Sequence, residues 1–243
     1  MRNRSIKLIC LDVTGTIFNF KEAPASVYQR FAHDSGLVVT SSRLQDSLFG
    51  NIKKMSSEYP HFGGTSIGNY QWWNHVIHQT FQDACQNNYS KEKVDEFAPK
   101  LYQHFKTSDA YVVYPDFFPF ATSLKQKGTK MIAISNFDNR LEKILAQLKV
   151  SPFLSEIIVS ESAKCSKPDP GIFKKAVKAA GAEVEPENIL HIGDSVQKDY
   201  LAAKHVGWNA LLMQRTLNQS SSKSIPQADI VSSFEDVSKW LVS

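Results

Sequence analysis

Six short apolar runs bounded by turn residues recur along the chain, at residues 6–11, 130–134, 157–159, 189–192, 209–213 and, more weakly, 229–231. Runs of this length without a polar face read as strands buried on both sides of a sheet. The first ends at Asp12, the second at Ser135 and the fourth at Gly193-Asp194. From residue 116 onward the runs alternate with stretches of helical period, at 117–127, 139–148, 172–180 and 196–206. Strand and helix in alternation predict an α/β fold with a doubly wound, Rossmann-like parallel sheet. A polar surface loop at 216–228 and a brief helix after Ser233 follow.

The pattern changes between the first and second runs. From Ala23 to Thr107 no strand is predicted, and four helices are, at 24–35, 41–58, 68–86 and 91–106. Pro24 suits a first helical turn and Ser90 an N-cap, while residues 61–65 supply the main glycine break. Trp72, Trp73, Val76, Ile77 and Phe81 recur at helical spacing, which marks the interior of this block. The expected organisation is a core of residues 1–16 and 113–243 with a helical insertion at 17–112. Such an insertion can form a lid over the carboxyl ends of the strands, where open α/β sheets bind their ligands.

Composition narrows the class. A chain of 243 residues buries roughly 70–75% of its unfolded surface and needs no disulfide or metal staple. Apolar residues at 42% and charged residues at 21% exclude a disordered or collagen-like chain. No apolar run approaches the about 20 residues of a membrane-spanning helix. The basic start, Met1 to Lys7, leads straight into the first strand rather than into a signal-peptide core, so a soluble cytoplasmic protein is expected. Cys10, Cys85 and Cys165 form no CxxC pair and read as thiols in a reducing compartment. The net charge is +4, and residues 17–112 carry nine basic and nine acidic side chains, so the whole excess lies outside them. That excess is too diffuse for a nucleic-acid footprint and suits a protein that accepts a small anion. The seven histidines form no metal-binding spacing, and His191, inside a strand, is expected to be packed or hydrogen-bonded. Lys53 and Lys54, like Lys174, Lys175 and Lys178, are expected on solvated helix faces.

The candidate chemistry sits at the predicted strand ends. Asp12 precedes Val13-Thr14-Gly15-Thr16, which places a carboxylate in the ligand crevice of the sheet. Ser135-Asn136 puts a hydroxyl beside a helix N-terminus, where exposed backbone N–H groups attract an anion. In Lys167-Pro168-Asp169-Pro170, capping accounts for Asp169 and Pro170 but not for Lys167, which can balance clustered negative charge. Asp194 and Asp199 lie five residues apart around a turn into a helix. With Asp12 they make a hard oxygen site of the kind Mg²⁺ takes together with waters and phosphate oxygens.

Four such segments in this order resemble the motifs of the haloacid dehalogenase (HAD) superfamily of hydrolases, and the likeness runs nearly the full length of the chain. The helical block resembles the superfamily's C1 cap. Gln71-Trp72-Trp73 and Ile134-Ser135-Asn136-Phe137-Asp138 resemble one particular branch of it. The resemblance implies a sheet in the order fifth, fourth, first, second, third run. It implies Asp12 as the nucleophile, with Mg²⁺ held by Asp12, the Thr14 backbone carbonyl and Asp194. Asp199 would assist through water or by orienting Lys167, Ser135 and Asn136 would meet the phosphoryl group, and Lys167 would neutralise it. The chain departs from the phosphatase pattern at Thr14, where those enzymes carry an aspartate as general acid and base. The expected function is a Mg²⁺-dependent phosphohydrolase acting on a small phosphate ester, weakly or atypically. The alternatives are a pseudoenzyme that binds a metabolite or partner, or a hydrolase of the phosphonatase or 2-haloacid dehalogenase kind. Neither nucleic acid nor membrane is an expected partner.

Overall fold

The computed structural model describes residues 5–181, 184–216 and 224–242. The basic residues 1–4 and most of the predicted polar loop, residues 217–223, lie outside the described residues. In chain order, β1 (Leu8–Leu11) and β2 (Phe18–Phe20) precede α1 (Pro24–Asp34), α2 (Ser41–Glu58), α3 (Gly68–Cys85) and α4 (Lys91–His104). There follow β3 (Tyr111–Val113), α5 (Phe117–Gln126), β4 (Lys130–Ser135), α6 (Arg140–Gln147), β5 (Glu156–Val159), α7 (Ser160–Ala163) and α8 (Pro170–Ala180). The chain ends with β6 (Ile189–Gly193), α9 (Ala202–His205), β7 (Asn209–Met213), β8 (Ile230–Val231) and α10 (Phe234–Val242).

Six strands form one parallel sheet in the order β5-β4-β1-β6-β7-β8. In terms of the predicted runs this is third, second, first, fourth, fifth, with the sixth added at the edge. β1 is buried along its whole length because helices cover both faces. Leu8 and Cys10 join Ile132, Ile134, Phe173 and Trp208 in one core. On another packing surface, Phe234 of α10 lies against Phe117 and Phe120 of α5 at 5.7 and 4.7 Å.

Two short strands, β2 and β3, pair as a separate ribbon that hydrophobic patterning did not predict. Each has three residues, below the length at which alternation stands out from chance. The segment at 196–206 is also not the regular helix its pattern predicts. Residues Val196–Leu201 form a π-helical turn before α9. The Ser195 carbonyl there accepts from both Asp199 N at 3.0 Å and Tyr200 N at 3.1 Å, which widens the turn by one residue.

By their contacts the residues divide into two compact units. The α/β unit comprises Met1–Asn19, Val112–Asn136 and Leu145–Ser243, and the helical unit comprises Phe20–Tyr111 and Phe137–Ile144. The helical unit has its own core, with Trp72, Val76, Ile77 and Phe81 of α3 among Leu44, Val94, Phe97 and Leu101. Pro24 opens α1, and the Ser90 side chain caps α4 by accepting from Lys93 N, as expected. Phe137–Ile144 belongs to this unit through Asp138, which the indole of Trp73 reaches at 2.7 Å. Lys53 and Lys54 are exposed, as are Lys174, Lys175 and Lys178. Among the described residues no helix is long and apolar enough to cross a membrane.

Candidate active site

The parallel register assembles the site within the α/β unit. Leu11 lies beside Ala133 on one side and Ile192 on the other, so the chain past β1, β4 and β6 emerges at one edge of the sheet. Asp12 follows β1, Ser135 ends β4, and Asp194 follows β6. Lys167 comes from the loop before α8, whose start is fixed by Asp169 accepting from Gly171 N and by Pro170 at the first helical position. Asp12, Ser135, Lys167 and Asp199 are buried, while Asp194 is half-buried.

Lys167 is the centre of the arrangement. Its ammonium donates to Asp12 Oδ1 at 2.6 Å and to Asp199 Oδ1 at 2.6 Å. The other Asp199 oxygen accepts from Ser195 N at 3.0 Å. Asp12, Asp194 and Asp199 each offer a carboxylate oxygen, and these atoms lie within 4.8 Å of one another. Such a group could hold a metal ion, and all-oxygen donors suit a hard divalent cation.

Close approach of the backbone makes this possible at two glycines. Gly15 has φ +80°, and a Cβ there would overlap the Asp194 carboxylate. A Cβ on Gly193 would overlap the carboxyl group of Asp199. Glycine at both positions lets the carboxylates sit directly against the chain.

The electrostatics follow from burial and from an excess of carboxylates. Burial pushes the Asp12 carboxyl up to about 6, with Lys167 opposing and Asp199 and Asp194 reinforcing the rise. Burial and the neighbouring Asp199 push Asp194 up to about 6. Burial also disfavours the charged form of Asp199, but Lys167 and His191 outweigh it and hold that carboxyl well below its usual range. For Lys167 the burial penalty is outweighed by Asp12 and Asp199, which raise its affinity for a proton. One ammonium therefore faces three carboxylates, and a cation would relieve the remaining repulsion.

The Asn136 side chain has partners that its sequence position does not reveal. Its side-chain amide donates to the Lys167 carbonyl at 2.8 Å and accepts from Lys167 N at 2.7 Å. Both ends of the amide are thus engaged with the backbone of Lys167. His191 and the Ser195 N–H, neither of them among the predicted site residues, both bond Asp199. An open apolar cavity lined by Phe173, Val177, Val206 and Trp208, with Lys174 and His205, includes none of the residues predicted for the site.

A parallel sheet with a helical insertion, an aspartate after its first strand and a buried lysine linking it to further aspartates defines a hydrolase of the HAD type. The model of the haloacid dehalogenase-like hydrolase family matches residues 6–207, and the chain belongs to that family. Haloacid dehalogenase-like hydrolase domain-containing protein 3 of Xenopus laevis is 30% identical over 98% of this chain and 96% of its own length. The rhythmically expressed gene 2 protein of Drosophila melanogaster is 33% identical over 88% of this chain and 85% of its own. Among solved structures, the magnesium-bound HAD hydrolase YfnB of Bacillus subtilis shares the fold with a TM-score of 0.75 at 18% identity, covering 97% of this chain and 98% of that one. A dehalogenase captured as an intermediate complex shares it with a TM-score of 0.73 at 17% identity, covering 98% of both chains.

Proposed function

We propose that the chain is a Mg²⁺-dependent phosphohydrolase that cleaves a small phosphate ester through an aspartyl-phosphate on Asp12. The observation that carries this reading is the Lys167 ammonium, 2.6 Å from both Asp12 and Asp199, beside a third carboxylate. A carboxylate oxygen of Asp12 attacks phosphorus, and the ester P–O bond breaks. Water then attacks the same phosphorus, which releases inorganic phosphate and restores the Asp12 carboxylate. Lys167 offsets negative charge on Asp12 and on the transferring group, and Ser135 donates to a phosphoryl oxygen. Asp12, Asp194 and the Thr14 carbonyl are the groups that would hold Mg²⁺, with Asp199 keeping Lys167 in line. The ion supplies charge neutralisation and a fixed orientation of the phosphate. Phosphatases of the same fold, such as the HAD phosphatase of Thermococcus onnurineus, and the magnesium bound in YfnB support this choice. The thiols of Cys10, Cys85 and Cys165 suit a reducing, cytoplasmic setting.

Thr14 sets the scope of the reaction. A threonine hydroxyl cannot protonate a departing alkoxide near neutral pH, and general acid catalysis is worth roughly 10²–10⁴-fold. Turnover is therefore expected with esters whose leaving group departs as a stable anion, such as p-nitrophenyl phosphate. The test is a phosphatase screen with Mg²⁺ that includes alkyl phosphates, phosphonates and 2-haloacids, with Asp12→Asn as the inactive control. Thr14→Asp is expected to raise alkyl phosphate turnover by at least about tenfold while changing p-nitrophenyl phosphate turnover little. Thr14 also favours a second reading, a protein that binds a phosphorylated metabolite without cleaving it. Absence of turnover in both the wild type and folded Thr14→Asp would select that reading.

A further inference from the structure

We propose that His191 is a positioning residue whose Nε2–H holds the Asp199 carboxylate in the one orientation that keeps Lys167 aligned on Asp12. The consequence for catalysis rests on the reading of Asp12 as the nucleophile. The geometry of the hydrogen bond does not.

His191 lies in the middle of β6, fully buried between Leu190 and Ile192. Its register partner on β1 is Cys10, and Phe173 of α8 meets its ring edge-on at 5.4 Å. Against such a wall a leucine or phenylalanine would pack with no polar group to satisfy. The imidazole carries a cost instead: its Nδ1 is buried without a hydrogen-bond partner, so its hydration is lost with no bond in return. The other nitrogen accounts for its presence. Nε2 lies 2.9 Å from Asp199 Oδ1, and an ionised carboxylate only accepts, so Nε2 carries the hydrogen.

Asp199 therefore receives three donors. Lys167 Nζ and His191 Nε2 share Oδ1, and Ser195 N takes Oδ2. Two of the three, the backbone amide and the ring in the strand, are fixed by the fold. Lys167 is the flexible member, an ammonium on a four-carbon stem drawn toward two carboxylates at once. With the imidazole behind it, Asp199 is a fixed post for that ammonium. Without it, Oδ1 is held by Lys167 alone, and carboxylate and ammonium shift together away from Asp12.

The test uses the whole protein labelled with ¹⁵N. In the wild type the imidazole of His191 should show a hydrogen on Nε2, and the Lys167 ammonium should give a protected signal. His191→Leu should shift or lose the Lys167 signal. His191→Gln places an amide donor at a similar reach and should keep it. With p-nitrophenyl phosphate and Mg²⁺, His191→Leu should lower kcat by about tenfold, the scale of one charge-assisted hydrogen bond, with KM little changed. His191→Gln should recover most of that loss. A wild-type ring with Nε2 bare would overturn the proposal, and needs no variant to fold. So would an unchanged Lys167 signal in His191→Leu, or a His191→Gln variant as impaired as His191→Leu. If the wild type cleaves no ester, the phosphohydrolase reading fails while the tautomer and the Lys167 signal still decide the role of His191.

Discussion

Lys167 is held at both ends. Its ammonium is fixed by Asp12 and Asp199, and its backbone is clasped by the amide of Asn136 through one donated and one accepted hydrogen bond. Replacing Asn136 with alanine leaves a backbone N–H and C=O of Lys167 without those partners. The expected cost is about 1–3 kcal/mol in chemical denaturation, together with reduced turnover. Unchanged stability would mean that water replaces the amide at no loss. The sequence marks Ser135-Asn136 as a strand end near a helix start, and that much is visible from pattern. It does not show that the Asn136 amide clasps Lys167, because that partner lies 31 residues away and bonds through its backbone. The same applies to His191, which in sequence is only a polar interruption of an apolar run.

Among the elements, α6 shows how a short polar cluster decides which core a segment joins. Arg140 reaches Asp138 through two side-chain bonds, at 2.8 and 2.7 Å, and both residues are buried. The guanidinium also lies over the rings of Trp73 and Tyr102, at 4.9 and 4.7 Å, while the Trp73 indole donates to Asp138. Burial of two charges is tolerated because their partners are close and planar, so removal of one partner strands the other. Asp138→Asn should therefore destabilise the protein by about 3–5 kcal/mol, read as a lower midpoint in urea or heat. A loss below about 1 kcal/mol would show that the rings and the amide suffice for Arg140. Helical period alone identifies residues 139–148 as a helix but carries no information on this attachment. The strands of the main sheet are more legible, since burial on both faces leaves continuous apolar runs, whereas β2 and β3 are too short to be seen that way.

For the whole molecule, the proposed metal site is expected to make stability depend on pH and on divalent cations together. Asp12 and Asp194, at about 6, bind protons more tightly folded than unfolded. With a raised folded pKa, their protonation favours the folded state, and stability falls as pH rises from about 4 to about 6. Asp199 is held low and has the opposite sign: its contribution is present above the ordinary carboxylate range and is lost only in strong acid. A cation in this group competes with protons on Asp12 and Asp194. Millimolar Mg²⁺ is therefore expected to raise Tm more at about pH 7.5 than at about pH 5, and Asp194→Asn should shrink the rise at both. An equal rise at the two pH values would show that other groups bind the ion. That Asp12, Ser135 and Asp194 lie at one edge of a sheet was readable from where the apolar runs stop, whereas Lys167 and Asp199 come from the segments that follow. The charge balance among them was not, because it depends on distances that only the register sets.

The widened turn at Val196–Leu201 gives Asp199 its direction through a count of residues rather than through any side chain. Successive residues of an α-helix are rotated by about 100°, so one residue more or less re-aims everything beyond it. Deleting the exposed Gln197 would let this stretch relax into an ordinary helix, an inexpensive change for the backbone. The shortened chain is expected to lose activity and also to melt below the wild-type temperature, because the carboxylate swings away from Lys167 and leaves that buried ammonium with one partner fewer. Point substitutions would leave that dependence unseen. A length change of one is thus a lesion of its own kind, felt by the site through direction alone.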